Sequence, residues 1–310
     1  MDKRETLHII NGDSALAPLK NLNLGGKIFV WREMLCDGPT YKYVNSFSFK
    51  EIRTKFLSDY YDIPLQEYEN KFLAQFSIFE EQQFSEVYLW FEYDLFCHIN
   101  MLAAIQFLAE LKINVPICLI CSGRFKGESK LKGLAELTPQ EFKTAYENRV
   151  LLQEDDMQLA QDIWTLYNEK NPKRLVPYIS KSSNFEYLSN CLRAHLKRFP
   201  NSETGLNVLE ENLLHLIENN HITSINQWLG YGLQYQGYYG YGDIQMQKFI
   251  HKLSFFTTLE KHRLILNEKG KAVIEKSENF YREMKDDTVY GAAYKYDFLY
   301  DKESHKLLKL

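Results

Sequence analysis

The stretch "LHIINGDSAL", residues 7–16, decides the fold. Leu7 to Ile10 run straight into Asn11, Gly12, Asp13 and Ser14. A short apolar run closed by turn residues reads as a strand buried on both faces, and such strands belong inside parallel sheets. Working outward, three more runs repeat the pattern: "KIFVWRE" (27–33), "EVYLWFE" (86–92) and "VPICLIC" (115–121). Between them lie helical patterns over 48–61 and 64–83, split by Pro64, and the segment "DLFCHINMLAAIQFLAEL" (94–111). Its apolar residues at 95, 96, 99, 102, 105, 108 and 111 predict an amphipathic helix, with Asp94 placed to cap it. Strands alternating with helices predict an α/β fold: an open parallel sheet flanked by helices, a Rossmann-like domain over 1–134. Right-handed crossovers then put every strand's C-terminal end on one rim.

Past that domain the pattern turns helical. "LTPQEF" is a well-formed helix start, with Thr138 as cap, Pro139 at the first position and Glu141 completing a capping box. Residues 135–200 read as a helical linker region. "FPNSETGLN" (199–207) reads as the boundary to a third unit, 201–310. That unit runs helix (208–219), helix (224–231), helix (243–253), strand (263–266), helix (268–277) and a terminal β-hairpin (290–309). Helices followed by strands in this order predict a winged-helix-like C-terminal domain.

Composition narrows the function classes. The net charge is −4, so nothing global draws the chain to nucleic acid or anionic lipid. From 184 to 310 there are 16 basic and 16 acidic residues, whereas a DNA reader carries a positive stripe. DNA is therefore a less favoured partner than a contact in cis or with a protein, and no membrane partner is expected. Five cysteines at scattered spacing, with Cys118 and Cys121 inside an apolar run, fit a reduced cytoplasmic setting better than a redox pair. "MDKRETLHII" lacks the apolar stretch of a signal peptide, and no apolar run approaches the ~20 residues of a membrane helix.

The chemistry-bearing residues gather at the strand ends. Strand one ends in Asn11, Gly12, Asp13 and Ser14; strand two in Arg32 and Glu33, with Asp37 beyond; strand three in Glu92 and Asp94; strand four in Ser122, Gly123 and Arg124. In an open parallel sheet the ligand sits outside these ends. Asp13, Glu33, Glu92 and Asp94 are the candidate catalytic carboxylates, and Asn11, Gly12, Ser14, Arg32 and Arg124 the candidate ligand-binding residues. Carboxylates that converge need a cation, a proton or an arginine between them. Mg²⁺ is one solution and Arg32 the other. The loop 122–133 carries Arg124, Lys126, Lys130 and Lys132 against Glu128, and reads either as phosphate-facing or as a solvated charge run.

Gly-Asp-Ser after a first strand also occurs where esterases place a nucleophile. That chemistry needs a His and an acid. The chain offers only Asp301 to His305, one residue longer than the usual spacing and inside the expected hairpin. The simpler reading makes Gly12 a tight turn and Ser14 the cap of the next helix, whose free N–H groups could accept an anion. His98, near Glu92 and Asp94, reads as a partly buried helical His rather than a ligand.

"LHIINGDSA", "VWREMLCDGP" and "EVYLWFEYDLFCHINML", with the later "FPNSETGLNVLE", "GYGD" and "YGAAYKYD", resemble a bacterial family known as domain of unknown function 1835. The resemblance covers nearly the whole chain and implies an α/β domain followed by helical and winged segments. It marks Asn11, Gly12, Asp13, Trp31, Arg32, Gly38, Pro39, Glu92 and Asp94 as family-defining. This sequence departs from the family pattern at Tyr93, where His is common, at Cys97 and His98, where Asp-Gln is common, and at Glu33, where Asp is common. If the usual His and Asp are catalytic, this chain is altered at those positions. The expected function is binding of, or hydrolytic or transfer chemistry on, a small phosphorylated or nucleotide-like ligand. The alternative is a non-catalytic ligand-sensing regulator whose winged helix contacts DNA or protein.

Overall fold

A computed structural model describes residues 5–80, 84–125 and 127–310. Strand β1 (Glu5–Asn11) is followed by α1 (Leu16–Asn21), β2 (Lys27–Trp31), β3 (Gly38–Pro39), α2 (Phe47–Tyr61) and α3 (Leu65–Lys71). Then come β4 (Phe84–Phe91), α4 (Leu95–Glu110), β5 (Ile117–Cys121), α5 (Pro139–Glu147), β6 (Val150–Leu151), α6 (Glu154–Tyr167) and α7 (Leu188–Leu196). The sheet order is β2-β1-β4-β5-β6. The first four strands are mutually parallel, as their apolar runs predict, and the two-residue edge strand β6 is antiparallel to β5. Residues 81–83, part of the expected second helical stretch, lie outside the described residues.

Alternation along the strands builds two cores. Leu7, Ile9, Phe29, Trp31, Val87, Leu89 and Leu119 face one side, and Ile10, Val30, Tyr88, Trp90 and Ile120 the other. The first side holds an edge-to-face aromatic cluster in which Phe29 meets Phe72, Phe76 and Phe79 at 5.0–5.9 Å. Cys118 and Cys121, three apart on β5, belong to opposite faces and are both free thiols. The helix over 94–111 departs from its expected amphipathic character. Cys97, His98, Asn100, Met101, Ala103, Ala104 and Phe107 are buried along with the apolar stripe. The sheet covers one side of α4 while α6 and α7 pack on the other.

The remaining chain forms α8 (Val208–Asn219), α9 (Ile225–Tyr235), α10 (Asp243–Leu253), β7 (Thr257–Glu260), β8 (Arg263–Leu266), α11 (Glu268–Glu275), α12 (Tyr281–Met284), β9 (Val289–Gly291), β10 (Ala293–Tyr294), β11 (Phe298–Asp301) and β12 (Lys306–Lys309). The expected terminal hairpin is two antiparallel pairs, β9–β10 and β11–β12. β9 also pairs parallel with β3, Gly38 opposite Tyr290, so the chain's end returns to the turn after β2. The expected boundary at 199–207 is not an exposed linker. Asn201, Thr204 and Asn207 are buried there, and Asn201 Nδ2 donates to Thr204 Oγ1, Leu206 O and Glu211 Oε1. One core runs from Leu7 through Trp164 and Trp228 to Tyr296. No described helix is long and apolar enough to cross a membrane.

Candidate functional site

Parallel strands bring the predicted tips to one rim, but their side chains divide into three separate networks. The outermost is exposed. Arg32 forks onto Asp13, Nε to Oδ2 at 2.8 Å and an Nη to Oδ1 at 2.7 Å, and its other Nη donates to Lys71 O at 2.7 Å. Hydrogen bonding to Arg32 holds the Asp13 carboxyl below its usual range. Gly12, at φ +75°, turns the chain so that its N–H donates to Trp31 O at 3.0 Å. Ser14 is exposed and is not the expected cap. Helix α1 starts at Leu16 with Ala15 at its N-cap and no side-chain cap. No His bonds to Ser14 among the described residues. His305 instead meets Tyr300 Oη, and Asp301 accepts from the N–H groups of Glu303 and Ser304. That arrangement gives the esterase reading no support.

The middle network is structural. Glu33 does not face Arg32. It is buried against Arg53, Nε to Oε1 at 3.0 Å and an Nη to Oε2 at 2.8 Å. Tyr68 Oη and Met34 N donate to the same carboxylate at 2.7 and 2.9 Å. Every strong donor around Glu33 is thus internal, which leaves it no opening to a ligand. Asn11 belongs to a neighbouring net. Asn100 Nδ2 donates to Asn11 Oδ1 and Glu33 O at 2.8 and 2.6 Å, and Asn11 Nδ2 donates to Cys97 Sγ at 3.0 Å. These bonds tie the tips of β1 and β2 to α4.

The third network is the carboxylate cluster. Ligand atoms of Glu92, Asp94 and Cys97 lie within 4.8 Å of one another. Asp94 caps α4 as expected, with Oδ1 accepting from Cys97 N at 2.7 Å. Glu92 Oε1 accepts from Leu134 N at 2.8 Å. Burial, then the Asp94 charge, pushes the Glu92 carboxyl up to about 7. Burial pushes Asp94 up to about 6 against the opposing pull of the Cys97 backbone N–H. Burial likewise pushes the Cys97 thiol well up. Two buried polar atoms nearby, Ser122 Oγ and His98 Nε2, have no hydrogen-bond partner among the described residues. Ser122 N donates to Phe91 O beside Glu92, and His98 Nδ1 meets Asp94 O at 2.9 Å. Burial lowers the His98 pKa to about 4, so the ring is neutral.

Arg32 is therefore not the counter-charge of the Glu92–Asp94 pair, and the expected convergence of Asp13, Arg32 and Glu92 on one cleft does not occur. Arg124 is exposed; its backbone N–H donates to Tyr187 Oη at 2.8 Å. The basic loop is largely neutralised by its own acids: Lys132 pairs with Glu128 and Glu141, and Lys130 with Glu136. Lys126 lies outside the described residues. What covers the cluster was not expected. Tyr238 O and Tyr239 O accept from Leu95 N and Phe96 N at 2.8 and 3.2 Å, occupying the first free N–H groups of α4. Gly240, at φ +71°, lies directly against the Asp94 carboxylate. The Gly/Tyr-rich composition of 229–243 was the one sequence signal for this cover.

No protein-family model and no curated protein matches the chain. Among solved structures it is similar to the crystal structure of the Plasmodium falciparum topoisomerase II DNA-binding, cleavage and re-ligation domain, at 13% identity and a TM-score of 0.49. The match covers 81% of this chain and 42% of that one, so the chain spans less than half the length of that neighbour.

Proposed function

We propose that the rim at Glu92 and Asp94 holds a divalent cation, Mg²⁺ or Mn²⁺, and through it the phosphate of a small phosphorylated or nucleotide-like ligand. The observation that carries this reading is the buried meeting of two carboxylates with no basic side chain bonded to either among the described residues. Each has one oxygen held by a backbone N–H, Leu134 for Glu92 and Cys97 for Asp94. Like charges in a poorly solvated place persist only with a proton or a cation between them. The donor set is hard. Cys97 keeps its proton because burial opposes the thiolate, and its sulfur already accepts the Asn11 amide. Oxygen donors without a thiolate suit Mg²⁺ or Mn²⁺ rather than zinc. When bound, such an ion polarises a phosphoryl oxygen. With no cation bound, burial and the Asp94 charge raise the Glu92 carboxyl to about 7; as a ligand of the cation it is held as the carboxylate. Arg32, engaged with Asp13 and Lys71 O at a separate strand tip, is not part of this cation site. Membership of the chain in the domain of unknown function 1835 family is part of the same proposal.

A second reading, the ligand-sensing regulator, is favoured by the segment 208–266. Three helices followed by the antiparallel pair β7–β8 have the order of a winged helix, and Leu264 N donates to Ile222 O at 2.8 Å. Its third helix, α10, spends its basic residues on its own chain. Lys252 pairs with Asp286, and Lys248 lies 5.1 Å over the Tyr60 ring. A winged helix docked in cis, with the 238–240 link on the rim, fits this better than a DNA reader.

The deciding experiment is a thermal-shift series of nucleotides and sugar phosphates with Mg²⁺, with Mn²⁺ and with chelator, alongside DNA gel shift at fixed salt. Ligand stabilisation that requires the cation is expected. Salt-sensitive DNA retention with no cation-dependent ligand effect would replace the first reading with a DNA-binding regulator.

A further inference from the structure

A cavity of about 750 Å³ lies between α2, the turn at 37–39 and the segment 286–289. Its floor is apolar, formed by Pro39, Ile52, Phe56 and Val289. Phe56 is held in place by the turn after β2. Gly38, at φ +74°, has no side chain, and the Phe56 ring fills the space a Cβ would take. Four carboxylates stand around this floor. Asp59 is paired with Lys55 at 2.6 Å, and Asp286 with Lys252. The other two have no side-chain ion pair among the described residues: the Asp37 carboxylate accepts from Tyr61 Oη and Gly38 N while Arg53 donates to its backbone carbonyl at 2.8 Å, and Asp287 has no hydrogen bond among those residues.

We infer that this cavity binds a small organic cation, a protonated amine or guanidine carried on an apolar body. Two features separate this from other occupants. The free carboxylates are spread around an apolar floor rather than gathered, and the metal-sized cluster among the described residues is the one at Glu92, not here. A bare metal ion would find no convergent oxygens. The faces of the Phe56 ring are also in use, with Arg53 at 4.9 Å and Tyr60 stacked at 5.4 Å. The cation is therefore held by Asp37 and Asp287 while its body lies on the aliphatic and ring-edge surface. An anionic ligand meets the wrong field, and a neutral one gains the floor but not the rim.

Calorimetric titration with three probes of one shape tests this: 2-phenylethylamine, 2-phenylethanol and phenylacetate. The amine is expected to bind saturably and the acid not at all, with the alcohol clearly weaker than the amine. Asp287→Asn, an exposed change, should weaken the amine roughly three- to fivefold, the scale of one partly screened ion pair. Adding Asp37→Asn, which keeps the acceptor for Gly38 N, should weaken it about tenfold or more while leaving the alcohol unchanged. Ile52→Trp, which changes the shape of the apolar floor, should weaken the amine and the alcohol together. Melting curves establish that each variant is folded. No saturable binding of the amine, equal binding of amine and alcohol, or amine affinity untouched by the double substitution would overturn the assignment.

Discussion

The α-carbon of Gly240 sits where any side chain would collide with the carboxylate of Asp94. The two residues come from distant parts of the chain, the link before α10 and the start of α4. Their contact makes the 238–240 link the lid of the carboxylate cluster. Gly240→Ala should therefore cost about 2 kcal/mol or more, from a Cβ at positive φ and from overpacking against a fixed helix cap. Chemical denaturation measures it. Gly237, also at positive φ but with open space around it, supplies the control, because its Ala variant pays the backbone term alone.

The buried pair Glu33–Arg53 should be the most costly single contact near the rim. Arg53→Met leaves a carboxylate buried with only Tyr68 Oη and Met34 N, and should lose about 3–5 kcal/mol. Glu33→Gln together with Arg53→Met should recover much of that loss, because no unpaired charge then remains.

The exposed pair Asp13–Arg32 should behave oppositely. Its fork is well formed, but Asp13 is more than half exposed. Arg32→Ala should cost below about 1 kcal/mol, and less in high salt. Mg²⁺ should not restore that loss, since Arg32 does not neutralise Glu92. Ser14→Ala should fall within about 0.5 kcal/mol of the parent, because Ala15 occupies the cap position.

The pH dependence follows from the raised carboxyls. Glu92 and Asp94 bind protons more tightly in the folded chain than in the unfolded one, so between pH ~4 and ~7 the folded state holds more protons and these two groups make stability fall as pH rises. Buried His8, His98 and His195 have lowered pKa values and act in the other direction over part of that window. The readout is therefore the difference between parent and Glu92→Gln. The variant should be as stable as the parent near pH 4 and progressively more stable than it toward pH 8. Identical pH profiles would remove the repulsion from the account.

The sheet was legible because four apolar runs alternate with helices, and burial on both faces leaves little choice but parallel pairing. The Asp94 cap and the Thr138 capping box were legible because capping is local. The partition of the rim was not. Glu33 and Arg32 are neighbours in sequence, yet β2 ends there and they leave on different sides, one toward Asp13 and one toward α2. The partner that captures Glu33 was readable only in hindsight: Phe49, Arg53 and Leu57 share one buried helical face, so an arginine stands in an apolar stripe. Ser14 failed as a cap because the turn after Gly12 runs one residue further, so that Ala15 takes the cap position and the helix starts at Leu16. The lid at 238–240 is a long-range contact with no periodic signal to announce it.

Cation binding by Glu92 and Asp94 together is what the proposed function rests on. The most direct test is a titration of Mn²⁺ followed by electron paramagnetic resonance, on the parent chain and on Glu92→Gln and Asp94→Asn. Asn keeps the α4 cap, and Gln relieves repulsion, so both variants are expected to fold. One saturable Mn²⁺ per parent chain is expected, displaced by Mg²⁺ and lost in both variants. Saturable binding unchanged in the variants, or none in the parent at pH 8, would contradict it.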